Sequence, residues 1–224
     1  MIKWHRGNMN ESTPYSSLPL PAARPPRIGD EAPNFRARTT TGEIELSDFR
    51  GKWLIFFSHP ADFTPVCTSE FVGLAKAADQ FTARGCALLG LSVDSLYAHL
   101  AWVKAIRDLF NVLVPFPIVE DPSMAVGRAY GMIDDAATDS AAVRAMYFID
   151  PSGFIRAMTW YPMNVGRSVE EMLRLLTALQ RTKAQDVLAP EGWQPGQDLL
   201  LPPLQAQSGQ LEAPDWFYRT RPDK

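Results

Sequence analysis

The sequence predicts an α/β domain with a mixed central sheet flanked by helices, plus a small C-terminal arm. Three observations carry this. Trp53–Phe57 is an unbroken apolar run, as expected of a strand buried on both faces, and Ala87–Val93 reads as a second buried strand. Between and after these runs, apolar residues recur at helical spacing. Near residue 150, two extended runs flank the turn Asp150-Pro151-Ser152-Gly153, which makes a hairpin. Strand–helix alternation closed by a hairpin and a last helix argues for mixed strand directions.

The elements follow in order. Thr41-Gly42 is a turn signal between two short extended pieces. After the Trp53–Phe57 strand comes a loop holding Pro60 and Pro65. Thr64 suits a helix N-cap, and Pro65 suits the first helical position, where its missing N–H would be unpaired anyway. Phe71, Leu74, Ala78 and Phe81 continue that helix to about Arg84, and Gly85 stops it. Ser95 caps a second helix with the stripe Leu96, Leu100, Val103, Ile106 and Phe110. Phe116–Val119 is a short strand and Met124–Tyr130 a short helix. Ala145–Ile149 and Phe154–Trp160 form the hairpin, and Val169, Met172, Leu173, Leu176 and Leu179 mark the final helix. This order is that of a thioredoxin-like domain.

Three segments are expected: a disordered N-terminal arm over 1–27, the main domain over 28–184, and a C-terminal arm over 185–224. Residues 1–27 hold five of the 19 prolines and little periodic hydrophobicity. They lack the apolar run of a secretory signal; Lys3, Arg6, Arg24 and Arg27 against Glu11 leave a transit peptide as an alternative. The last segment is proline-rich but keeps Trp193, Trp216, Phe217 and Tyr218, which need a surface to bury against. A net charge of −3 gives no basic field for nucleic acid or anionic lipid. No apolar stretch is long enough for a transmembrane helix, so no membrane is expected as a partner. Two cysteines in 224 residues form no disulfide framework and fit a reducing, cytoplasmic setting.

The chemistry concentrates in His59-Pro60-Ala61-Asp62-Phe63-Thr64-Pro65-Val66-Cys67-Thr68-Ser69-Glu70. Cys67 falls in the first turn of a helix, where unpaired N–H groups and the macrodipole favour a thiolate, the nucleophilic form. Thr64, three residues earlier, brings its hydroxyl to the same helix end, and Pro60 rigidifies the loop. Taken alone, a lone cysteine is also compatible with a small buried hydrophobe.

Pro60-x-x-x-Thr64-x-x-Cys67 resembles the active-site motif of the peroxiredoxins, and its flanks resemble the subgroup that contains the one-cysteine members. The resemblance continues through Leu91-Ser92-Val93-Asp94-Ser95, His99-Leu100-Ala101-Trp102, Pro115-Phe116-Pro117-Ile118 and Tyr161-Pro162-x-x-x-Gly166-Arg167, covering roughly residues 28–203. It implies a thiol-dependent peroxidase for hydrogen peroxide and organic hydroperoxides, with no metal or other cofactor. Cys67 would become a sulfenic acid, with Pro60, Thr64 and Arg144 as its catalytic companions. Arg144 would hold a peroxide oxygen with its forked guanidinium. Glu70 would orient that arginine, while Arg167 and His59 would support the pocket. Some animal relatives carry a phospholipase serine just before the first buried strand's tryptophan; here that position is Lys52, so that activity is not expected.

The one other cysteine, Cys86, should start the next strand, a helix length away from Cys67. It reads as a structural thiol. The segment Ser208-Gly209-Gln210 to Tyr218 resembles a region where some prokaryotic relatives carry resolving cysteines, and it has none. An external thiol, glutathione or a thioredoxin-like protein, is therefore the expected reductant. The resemblance further implies a homodimer or a ring of dimers with the C-terminal arm across the interface. A peroxide sensor or holdase chaperone on the same scaffold is the alternative reading, and a disulfide oxidoreductase is disfavoured because no C-x-x-C pair follows Cys67.

Overall fold

The computed structural model describes residues 24–133, 139–184, 186–203 and 214–223. Most of the segment expected as an N-terminal arm (1–23), and Ser208–Gln210 in the C-terminal arm, lie outside the described residues. Arg24 is described, and pairs with Asp30 at 2.7 Å.

The core is a seven-stranded mixed sheet in the order β2-β1-β5-β4-β3-β6-β7. Its strands are β1 (Arg36–Thr39), β2 (Gly42–Glu45), β3 (Trp53–Ser58), β4 (Cys86–Ser92), β5 (Ile118–Glu120), β6 (Arg144–Ile149) and β7 (Ile155–Tyr161). The neighbours β3, β4 and β5 run parallel, and the other pairings are antiparallel. Every residue of β3 and of β6 is buried, as the apolar run of β3 requires. Alternation along β3 divides the core: Trp53, Ile55 and Phe57 join one cluster, and Leu54 and Phe56 another on the opposite face. A fully buried side chain such as Phe57 contributes about 1.5–3 kcal/mol to this core.

Among the described residues five α-helices complete the domain: α1 (Pro65–Lys76), α2 (Ala78–Ala83), α3 (Leu96–Phe110), α4 (Ala125–Ala129) and α5 (Val169–Arg181). The single helix expected from Pro65 to Arg84 is two helices, broken at Ala77. Ala77 leaves helical geometry (φ −99°, ψ 2°), and its N–H is shared among three carbonyls of the preceding turn. The apolar spacing runs through the break because Leu74, Ala77 and Phe81 all enter the same core cluster. Gly85 then takes φ +61°, a left-handed turn that glycine adopts without strain, and the chain enters β4.

In the C-terminal segment, Trp193 is fully buried with Ala178, Val187 and Leu199, so this stretch packs on α5 of its own chain. Strands β8 (Leu199–Leu200) and β9 (Thr220–Arg221) pair there, and Arg181 holds Asp223 at 2.5 Å. Phe217 and Tyr218 are left exposed.

Candidate active site

The site forms where the C-terminal end of β3 meets the first turn of α1 and the first residue of β6. Pro65 occupies the first helical position and Thr64 the cap position, with extended φ and ψ. The Thr64 hydroxyl does not bond a helix amide, however; it donates to the Ala61 carbonyl at 2.9 Å. The first-turn amides therefore stay without a side-chain cap, and the Thr64 oxygen keeps its lone pairs as acceptors. Cys67 lies in that turn with 0% exposure. Pro60 is buried in the loop behind it.

Arg144 reaches Cys67 from β6, across 77 residues of sequence. Its Nη1 lies 3.3 Å from the Cys67 sulfur and 2.8 Å from Oε2 of Glu70. Its Nε and Nη2 both donate to the Met163 carbonyl, at 2.9 and 2.7 Å. The fork is thereby held by two anchors, which fixes the donor that faces sulfur.

Glu70 bridges two arginines. One turn after Cys67, it accepts from Arg144 and from the Arg167 backbone N–H (2.8 Å), Nε (2.8 Å) and Nη2 (2.9 Å). Burial opposes ionisation of Glu70, but the Arg167 bonds and the charge of Arg144 outweigh it and hold the carboxyl below its usual range. Arg167 also donates to the Ala145 carbonyl at 2.8 Å and lies over the Phe57 ring. Two buried guanidinium charges thus face one carboxylate, and the Cys67 sulfur lies beside one of them. Ionic groups withdrawn from water need such pairing.

His59 is fully buried, and among the described residues no hydrogen bond joins it to Cys67. Its Nε2 lies 2.9 Å from Oδ1 of Asp62, whose Oδ2 lies 2.7 Å from Nδ1 of His99. Burial pushes the His59 pKa down, so its ring is neutral near pH 7. Burial also opposes ionisation of Asp62, yet hydrogen bonds from His59 and His99 keep its carboxyl below the usual range. These three residues bring possible ligand atoms within 4.8 Å of one another. Nε2 of His59, both Asp62 oxygens and Nδ1 of His99 are already hydrogen-bonded to each other, so the trio is organised as a relay of imidazoles and carboxylate.

The structure therefore gathers Cys67, Thr64, Arg144, Glu70 and Arg167 at one point, and places His59 in a network beside it. Reading the sequence missed Asp62, His99 and the Met163 carbonyl. Asp62 and His99 stood inside the matched segments, but only their meeting across 37 residues gives them a partner. A backbone carbonyl leaves no signature in sequence.

Residues 28–158 match the AhpC/TSA family, and residues 178–212 match the C-terminal domain of 1-Cys peroxiredoxin. Peroxiredoxin 2 of Caldanaerobacter subterraneus subsp. tengcongensis is 46% identical over 184 residues, covering 82% of this chain and 83% of that one. A peroxiredoxin of Methanosarcina mazei is 45% identical over 185 residues, covering 80% and 84%. Among solved structures, the yeast mitochondrial 1-Cys peroxiredoxin, described with its resolution by glutathione/thioredoxin systems, superposes with a TM-score of 0.78 at 36% identity, covering 88% of this chain and 99% of that one. A cysteine-to-serine mutant of peroxiredoxin 6 of Arenicola marina gives a TM-score of 0.79 at 30% identity, covering 88% and 98%.

Proposed function

The chain belongs to the AhpC/TSA family of peroxiredoxins, and on that basis we propose that Cys67 is its peroxidatic nucleophile. The protein is a thiol-dependent peroxidase of thioredoxin-like fold. The observation that carries the residue assignment is the Arg144 Nη1 held 3.3 Å from the Cys67 sulfur by Glu70 and the Met163 carbonyl.

The Cys67 thiolate attacks the outer oxygen of ROOH. An S–O bond forms, the O–O bond breaks, and RO⁻ leaves and takes up a proton as ROH. Cys67 becomes a sulfenic acid. The Thr64 oxygen accepts a hydrogen bond from the peroxide O–H, since its own proton is committed to Ala61. Arg144 stabilises charge developing along the S–O–O line, with no reorganisation at the moment of reaction. An external thiol R′SH then condenses with the sulfenic acid, releasing water, and a second R′SH frees Cys67 as R′SSR′ departs. Glutathione or a thioredoxin-like protein fits this role, because Cys86, the second cysteine, is buried at the start of β4 as a free thiol. Two free cysteines suit the reducing conditions of a cytoplasm. A homodimer is supported by the exposed Phe217 and Tyr218, since aromatic residues are enriched at interfaces.

Rapid mixing of hydrogen peroxide with the reduced protein and dithiothreitol tests the assignment. Turnover should vanish in Cys67→Ser and stay within about twofold of wild type in Cys86→Ala. Turnover surviving in Cys67→Ser would refute it. Sedimentation of the same wild-type sample as a 25.0 kDa species would remove the dimer.

A further inference from the structure

We propose that Asp62 and His99 are positioning residues of this reaction: they fix the His59 ring in one tautomer and pin the loop that carries Pro60 and Thr64. The proposal rests on Cys67 being the nucleophile.

An ionised carboxylate only accepts hydrogen bonds. The nitrogens facing Asp62 must therefore both carry protons, Nε2 of His59 at 2.9 Å and Nδ1 of His99 at 2.7 Å. The other nitrogen of His99 lies 3.2 Å from the Val119 carbonyl, again an acceptor, which ties the relay to β5. The neutral His59 ring is then left with Nδ1 as a bare acceptor. That atom is buried and has no partner among the described residues. Structures normally avoid an unpaired buried acceptor. Turning the ring to relieve it would break the bond to Asp62, so the Asp62–His99 pair holds His59 where it would not otherwise stay.

The same residue pins the backbone. Asp62 N–H donates to Asp94 at 2.9 Å, and Asp94 also accepts from the Ser92 hydroxyl at 2.8 Å. The next residue, Phe63, has φ +56°, a left-handed conformation that a bulky side chain rarely adopts. Such strain persists only where the surroundings over-determine it. Here Asp62 fixes one side of Phe63 and the helix start at Thr64 the other. On its far side the relay reaches the catalytic helix. The His59 ring lies 4.9 Å from that of Phe71 and 5.1 Å from that of Trp102. Trp102 Nε1 in turn donates at 3.2 Å to the hydroxyl of Thr68, the residue after Cys67.

Nitrogen-15 spectra of the histidines in the full reduced chain at pH 7 read the tautomers directly. The wild type should show His59 protonated on Nε2 alone and a proton on Nδ1 of His99, the nitrogen that faces Asp62. Asp62→Asn, which keeps the volume, should mix the His59 tautomers and slow Cys67 oxidation by hydrogen peroxide about tenfold, because a small misplacement of the reacting groups is costly. His99→Phe, which keeps a ring without donors, should do the same. A wild-type His59 protonated on Nδ1, or Asp62→Asn oxidising within twofold of wild type, would overturn the relay alone. If Asp62→Asn does not fold, the wild-type spectrum and His99→Phe decide. A wild type whose Cys67 does not react with peroxide would overturn the proposed nucleophile, and the relay's role with it.

Discussion

Cys67 and Cys86 are almost equally withdrawn from solvent, at 0% and 5% exposure, yet their surroundings differ in kind. Cys86 sits at the start of β4, opposite Trp53 on the neighbouring strand. Its surroundings are largely apolar, and burial pushes its thiol up to about 12. Cys67 sits in the first turn of α1 with a guanidinium nitrogen 3.3 Å from sulfur. Burial by itself keeps a thiol neutral and inert. At Cys67 the burial is beside fixed positive charge, in a helix turn with uncapped amides, so organised donors face the sulfur. The two sulfurs thus differ in which charges are buried alongside them.

The sharpest way to break that contrast is to titrate the Cys86 thiol alone, following thiolate absorbance in the folded protein. In Cys67→Ser, which leaves Cys86, no thiolate should appear until the pH nears about 12. Cys86→Ala, which leaves Cys67, should keep the fast reaction with hydrogen peroxide. A Cys86 thiolate appearing near pH 9 in the folded state would show that its surroundings do not exclude charge. The sign also fixes a stability effect. Because folding raises this pKa from 9.0, the stabilisation is complete below pH 9 and is lost as the pH rises toward 12.

A second effect should be about a hundredfold. Arg144→Ala removes the donor aimed at sulfur, and loss of one preorganised donor typically costs about 10²–10³ in rate. Stopped-flow oxidation by hydrogen peroxide reads it; a rate within threefold of wild type would mean that the helix terminus suffices. Arg144→Lys should recover only part of the loss, because an ammonium lacks the fork that holds sulfur, Glu70 and Met163 together.

The smallest effect falls on the support. Glu70→Gln should destabilise the fold by about 2 kcal/mol, since two buried guanidinium groups lose their carboxylate. Urea unfolding measures this. The Glu70 carboxyl is held below its usual 4.5, so its contribution is complete above that pH and is lost as the pH falls through the folded value. The gap between variant and wild type should therefore narrow in acid. A gap that does not change with pH would mean that shape, not charge, makes Glu70 important.

Local patterns in the chain suffice for the strands, the hairpin and the helix that carries Cys67, because these depend on periodicity and turn chemistry. The Thr64–Pro65 start was legible since capping is a matter of neighbours. The break at Ala77 was not, because both helix halves keep their apolar residues on one core and the spacing runs straight through. Arg144, Glu70 and Arg167 were reached only by resemblance; taken as single residues, they read as ordinary surface charges. It took the folded arrangement to bury all three in one cluster with Arg144 on the Cys67 sulfur, to turn the Thr64 hydroxyl back to Ala61, and to join two histidines through Asp62. The reason is physical. Periodicity reports which face of an element is buried, whereas a charge network exists only where distant elements converge, and its energy depends on distances that no local pattern encodes.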